Sequence, residues 1–165
     1  MGGKTNKYLK IGHSIKQKTY VDWKYAQIES LVNKMPSAYK GNGNRVGYRF
    51  WTRSMPVLTE YFRLFYDENH KIIPDQIQLT PLALAVWYMD DGARNRKSAY
   101  FNTQQFSLDC QKKLLKILLH DFRLNGSLNK DKIYFRIRLF QESAQRLKRI
   151  IQPLMPECMH YKLPL

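Results

Sequence analysis

The sequence predicts an α+β fold of two pseudo-symmetric halves with antiparallel sheets, and three observations predict it. Hydropathy of period 2 alternates along the chain with hydropathy of period 3.6. The order of that alternation occurs twice, the mark of an internal repeat. Each half then closes on a lysine followed by a proline, Lys71-Ile72-Ile73-Pro74 in the first and Lys162-Leu163-Pro164 in the second. We set the repeats at 1–77 and 78–165. No Ser/Pro-rich tract or block of like charge separates them, so the 165 residues are expected to form one compact body with a core of its own.

In the first half, Lys7 to Ile15 reads as a strand and Thr19 to Val32 as a helix. Arg45 to Thr52 is a hairpin strand. Ser54 to Tyr66 is a helix with Pro56 in its first turn, where a missing N–H is harmless. In the second half, Thr80 is a good N-cap and Pro81 suits the first helical position. The apolar run Leu82 to Met89 follows, and Gly92 fits the C′ position. Ser98 to Gln104 is a strand. Ser107 caps a helix to Phe122 with Leu108, Leu114, Leu115, Leu118 and Leu119 as its apolar stripe. A hairpin returns through Lys132 to Leu139 in strict alternation, and a helix from Glu142 to Ile151 leads into the tail. The capped helix ends at Gly92, shortly before its strand at Ser98. The same spacing in the first half projects the matching helix end to about Met1.

Composition narrows the function. With 13% aromatic residues, low-complexity disorder is excluded. No stretch approaches the roughly 20 apolar residues of a membrane span, and Met1 to Lys7 lacks a secretory apolar region. Cys110 and Cys158 match no disulfide framework or metal-ligand spacing and read as reduced thiols in a cytosol-like compartment. Lys and Arg number 28 against 13 acids, a formal charge of +15. A polyanion relieves such self-repulsion by shedding its condensed counterions, so nucleic acid is the leading partner.

The strands say where it would bind. Lys132, Tyr134, Arg136 and Arg138 share one face of their strand, opposite Ile133, Phe135, Ile137 and Leu139. Arg45, Gly47, Arg49, Trp51 and Arg53 share another cationic face. In the first strand Tyr8, Lys10, Ser14 and Lys16 oppose Leu9, Ile11 and Ile15. An ordinary one-sided sheet carries mixed charge on its wet face, whereas here that face is cationic in both halves. Arginine is also the side chain best shaped for forked contacts with phosphate or guanine.

Asp90-Asp91-Gly92 stands at a helix C-terminus, where the dipole disfavours carboxylates by up to about 1 kcal/mol each. Two acids at that point suit a divalent cation with oxygen ligands, such as Mg²⁺. Leu84, Trp87, Tyr88 and Asp91 follow one helical stripe, while Asp90 points about 100° away and is the weaker ligand. Lys71 and Lys162, in matching positions, can stabilise charge developing on a phosphate. His13, His70, His120 and His160 share no ligand spacing and read as structural or solvent-facing. Trp23, Trp51 and Trp87 read as packing residues.

With these residues in view, the chain resembles a LAGLIDADG homing endonuclease of the single-chain, two-repeat branch encoded in group I introns. Leu84-Ala85-Val86-Trp87-Tyr88-Met89-Asp90-Asp91-Gly92 stands where the nine-residue signature would be. Around it are Leu79-Thr80-Pro81-Leu82-Ala83, Asn102-Thr103-Gln104-Gln105-Phe106 and Met159-His160-Tyr161-Lys162-Leu163-Pro164, with Ser54-Met55-Pro56 and Lys71-Ile72-Ile73-Pro74 upstream. The resemblance implies two αββαββα units with saddle-shaped sheets that read a long site in double-stranded DNA. It implies two signature helices delivering acids to a shared Mg²⁺ cluster, and cutting of both strands in intron homing. On this chain it makes Asp91 the metal-ligating acid, with Asp90 beside it, and Lys71 and Lys162 the flanking lysines. It gives DNA contacts to Lys10, Ser14, Lys16, Arg45, Arg49, Arg53, Asn102, Gln104, Lys132, Tyr134, Arg136 and Arg138.

One expectation departs from the family pattern, since a single signature helix is legible. Three origins stay open: a start codon set late, a degenerate reading frame, or a helix supplied by another polypeptide that pairs with an otherwise monomeric chain. Without that helix, apolar Leu84, Trp87 and Tyr88 are expected to lose the surface they pack against. Two rivals to the endonuclease share the scaffold: an RNA maturase that binds its intron, and a DNA-binding remnant without cleavage.

Overall fold

The computed structural model describes residues 6–68 and 70–165, so the helix end projected to Met1 lies outside the described residues. Contacts divide the chain between Tyr66 and Asp67 into two units, where the lack of a linker suggests one.

In the first unit, alternation along β1 (Lys10–Ser14) gives half-buried Ile11 and His13 and exposed Lys10, Gly12 and Ser14. A short 3₁₀ turn leads into α1 (Lys18–Ile28), followed by β2 (Ser37–Lys40), β3 (Val46–Trp51) and α2 (Pro56–Phe65). The sheet is antiparallel in the order β1-β3-β2. Its inner face and α1 enclose a core of Val21, Tyr48 and Phe50, with Ile11, Ile15, Tyr25, Ile28 and Val32 against it. Strand β2 is absent from the sequence reading because Ser-Ala-Tyr-Lys has no apolar alternation. What forms it is the loop Gly41–Asn44, where Gly43 takes φ +65° and folds the chain back onto β3.

Two-residue strands β4 (Tyr66–Asp67) and β5 (His70–Lys71) precede α3 (Pro81–Asp91). Thr80 caps α3 as expected, its hydroxyl accepting from the Ala83 N–H at 3.1 Å. Gly92 does not turn left-handed at the C-terminus. Its φ of −79° is extended, and the chain runs straight into β6 (Gly92–Asn95), a strand the sequence reading lacks. Glycine is needed there for close approach: a Cβ would lie 2.3 Å from both the Tyr88 ring and the Tyr88 carbonyl oxygen. Then come β7 (Ser98–Phe101), α4 (Leu108–Phe122), β8 (Gly126–Asp131), β9 (Tyr134–Leu139) and α5 (Gln141–Ile151). The sheet order is β6-β7-β9-β8, and the unit reads αββαββα. From β7 onward its order β-α-β-β-α repeats that of the first unit, and the pairing β7-β9-β8 matches β1-β3-β2.

Strand β7 stops at Phe101 rather than Gln104 because Thr103 supplies a side chain where the ladder would continue. Its hydroxyl accepts from the Ile137 N–H (3.2 Å) and donates to Gln111 Oε1 (3.0 Å). Gln111 is therefore buried on α4, whereas Leu108 and Leu119 of the expected stripe are exposed and Leu114 and Leu118 are buried. Leu84, Ala85, Tyr88 and Met89 of α3 are also fully buried, against a core that includes Phe101, Ile137, Leu139, Leu147 and Ile151. This corrects the expectation for α3. Leu84 and Tyr88 are covered by their own unit, and the Trp87 ring lies 4.1 Å from that of Phe101. At about 1.5–3 kcal/mol per fully buried large side chain, the burial of Leu84 and Tyr88 stabilises α3 within its own unit.

Candidate functional site

The end of α3 gathers groups that are far apart in sequence. Asp90 is exposed and Asp91 half-buried. The Lys162 ammonium donates to the carbonyl oxygens of Met89 at 2.6 Å and Asp90 at 3.3 Å. The Tyr88 hydroxyl donates in turn to the Lys162 carbonyl at 3.0 Å. The Asn102 N–H takes the Asp91 carbonyl at 2.9 Å. Orphan carbonyls at a helix C-terminus carry negative charge and ask for donors or a cation. Lys162 is that cation, brought from 73 residues downstream of Met89. Its charge offsets the dipole that disfavours Asp90 and Asp91. Burial holds the Tyr88 phenol well above its ordinary ionisation range, so it stays a donor.

Lys71 is exposed on β5 and donates to Gln105 Oε1 at 3.2 Å. Gln105 lies three residues beyond Asn102, so one loop is tied to the end of α3 at its start and to Lys71 further along. No group of three or more His, Cys, Asp or Glu among the described residues forms a metal cluster. The acid pair alone supplies carboxylates, and any ion there would complete its shell with water and phosphate oxygens.

The outer face of the four-stranded sheet joins three of the candidates, Asn102, Gln104 and Arg136, into a network. Arg136 stacks over the Tyr100 ring at 4.3 Å and donates through Nη1 to Asn102 Oδ1 at 3.4 Å. The same Nη1 is 4.0 Å from Asp131 Oδ2, while Arg136 Nε is buried without a partner. Gln104 Nε2 donates to Asp131 Oδ2 at 2.9 Å. Arg138 pairs with Tyr100 and Ser127 across the ladder, exposed on the same face. Tyr134 is exposed at the end of β9. Lys132 is not on the strand: it sits in the turn at φ +57°.

On the first unit's sheet, Lys10, Gly12 and Ser14 lie opposite Trp51, Arg49 and Gly47. Arg49 stacks on Tyr39 at 4.0 Å and approaches Trp51 at 5.3 Å. Gly47 makes room for this: a Cβ there would meet the Tyr39 ring at 2.4 Å. Trp51, read from sequence as a packing residue, is 42% exposed on this cationic face. Lys16 and Arg45 rim a shallow depression with Ser14, Tyr39 and Asn42. Arg53 is exposed. It lies past β3, and its Nη2 donates to the Ser30 carbonyl at 2.7 Å, fastening the turn after α1.

Sequence reasoning missed Tyr39, Tyr100 and Asp131. For Tyr39 the signal was the hairpin composition Gly41-Asn42-Gly43-Asn44 just beyond it. Asp131 had no local signal, because only strand register sets it near Arg136 and Gln104.

Fold and site define a class: an α+β protein with an αββαββα unit, sheets whose outer faces are cationic, and an acid pair at a helix end. A family model described as the LAGLIDADG DNA endonuclease family matches residues 2–147. The chain belongs to that family. It is 36% identical over 100 residues to the cytochrome b mRNA maturase bI2 of Saccharomyces cerevisiae, covering 58% of this chain and 24% of the maturase. It is 29% identical over 185 residues to the DNA endonuclease I-ChuI of Chlamydomonas applanata, covering 98% of this chain and 84% of that one. The fold matches that of the homing endonuclease I-WcaI, whose structure was solved bound to its DNA recognition sequence. The TM-score is 0.88 at 22% identity, over 99% of this chain and 77% of that one. Among the described residues no helix is long and apolar enough to cross a membrane.

Proposed function

We propose that the chain is a site-specific DNA endonuclease that makes a Mg²⁺-dependent double-strand break at a long recognition site, as in intron homing. The observation that carries this reading is the end of α3, where Asp90 and Asp91 stand beside a helix terminus compensated by Lys162. Carboxylate oxygens fit Mg²⁺, which is commonly held by one or two carboxylates together with phosphate oxygens and water. When bound, the ion supplies charge stabilisation at a phosphoryl oxygen and activation of water.

The chain's own residues do the rest. Asp91, with Asp90, holds the ion; Lys162 fixes the helix end that carries them; Lys71 adds positive charge near the phosphates. Lys10, Ser14, Lys16, Arg45, Arg49 and Arg53, and on the other unit Asn102, Gln104, Lys132, Tyr134, Arg136 and Arg138, contact DNA. In this reading residues 1–77 and 78–165 are the two repeats, acting within a monomer inside a prokaryotic cell or an organelle.

The test is cleavage of an intronless copy of the host gene. Magnesium-dependent cutting of both strands is expected, with Asp91→Asn abolishing cutting while duplex binding persists. Cutting that survives excess EDTA would sink the reading.

The similarity to an mRNA maturase supports a second reading, in which the same scaffold binds its intron RNA. It predicts that Arg49→Ala and Arg136→Ala impair splicing of that RNA whereas Asp91→Asn does not.

A further inference from the structure

Among the described residues Asp131 is the one acid in the strands of the three- and four-stranded sheets, and it shares its outward face with Tyr134, Arg136, Arg138 and Tyr100. An acid there repels any phosphate that approaches, so its presence calls for a return. Its contacts show one. Asp131 Oδ2 accepts from Gln104 Nε2 at 2.9 Å. An ionised carboxylate can only accept, whereas a glutamine amide can present either its oxygen or its nitrogen. Asp131 therefore removes the choice. It holds the Gln104 amide with nitrogen toward the carboxylate, leaving Oε1 and the second N–H as an acceptor–donor pair of fixed order. That order matches adenine, whose major-groove edge offers the N6 amino donor beside the N7 acceptor.

The neighbours hold the frame still. Arg136 lies beside the same carboxylate at 4.0 Å, is stacked on Tyr100 and is bonded to Asn102. Asp131 thus steadies a guanidinium and orients an amide on adjacent positions of one face.

We infer that Asp131 is a specificity-determining positioning residue: by fixing the Gln104 amide, it makes the protein select adenine at one position of its DNA site. This rests on the proposed binding of double-stranded DNA and adds the base read and the residue that sets it.

The experiment is selection from a randomised duplex library by the full chain without divalent ion, comparing wild type, Asp131→Asn and Gln104→Ala, each first checked for wild-type circular dichroism. Asparagine can donate as well as accept, so Asp131→Asn frees the amide to flip. The expected result is an adenine preference in the wild type that falls by about tenfold at one position in both variants, with the remaining profile unchanged. A merely structural role for Asp131 would lower affinity evenly and leave the profile alone, and that result overturns the inference. So does a profile in which the two variants alter different positions, or one in which the shared position prefers another base. Should Asp131→Asn fail the folding check, Asp131→Ser replaces it under the same criteria. Failure of the wild type to enrich any sequence would instead remove the DNA-binding reading itself.

Discussion

Lys162 and Tyr88 illustrate how single residues hold the site. The two tie the C-terminal tail to α3 through separate bonds, two from the Lys162 ammonium and one from the Tyr88 hydroxyl, each to the other segment's backbone. Replacing Lys162 by Met leaves carbonyls at the helix end without their cation, for an expected loss of about 1–2 kcal/mol. Tyr88→Phe removes one bond to a carbonyl, worth about 1 kcal/mol. Urea denaturation checks both, and the double variant should deviate from additivity by about 0.5 kcal/mol or more because the bonds share one tail. A pH dependence follows for Tyr88. Burial raises its pKa in the folded state, so its contribution is complete below the unfolded value of about 10 and fades as pH rises past it. The stability margin of wild type over Tyr88→Phe should therefore shrink between pH 8 and pH 11; an unchanged margin would contradict the burial argument.

At the level of elements, two glycines separate folding from recognition. A methyl group at Gly92 meets backbone and a buried ring, neither of which can give way. Gly92→Ala should cost about 2–3 kcal/mol by overpacking the junction of α3 and β6. At Gly47 the obstacle is the half-buried Tyr39 ring, a side chain on edge strand β2 that can rotate aside. Gly47→Ala should change stability by less than about 1 kcal/mol, yet remove the platform under Arg49 and weaken duplex binding. Thermal melts and binding isotherms on the same two proteins distinguish these outcomes. Much of this level was legible in sequence. The caps Thr80 and Ser107 act as expected, and the alternation from Tyr134 to Leu139 assigns each face correctly. Strands β2 and β6 were not legible, since Ser37–Lys40 and Gly92–Asn95 lack alternation and exist through their hairpin partners.

For the whole molecule the governing quantity is charge. A protein of +15 that neutralises 6–10 phosphates should lose about 10³–10⁵ in duplex affinity between 50 and 200 mM salt. Titration against salt measures the slope. A nearly flat dependence would mean that the cationic sheet faces are not where DNA binds. Single changes such as Arg138→Ala should lower the slope by roughly one contact without altering base preference, in contrast to Asp131→Asn.

The sequence by itself determined the N-caps Thr80 and Ser107 with the helices that follow them, the inner and outer faces of β1, β3 and β9, the acid pair at the end of α3 and the excess of positive charge. Each of these depends on residues within a few positions of one another or on composition alone. Only the tertiary structure decided that Lys162 compensates the helix end, that Leu84 and Tyr88 are buried within their own unit, that Arg53 fastens a turn, and that Gln104 donates to Asp131. Those pairings join residues tens of positions apart. Strand register and core packing set them, and no local pattern encodes where a distant side chain will arrive.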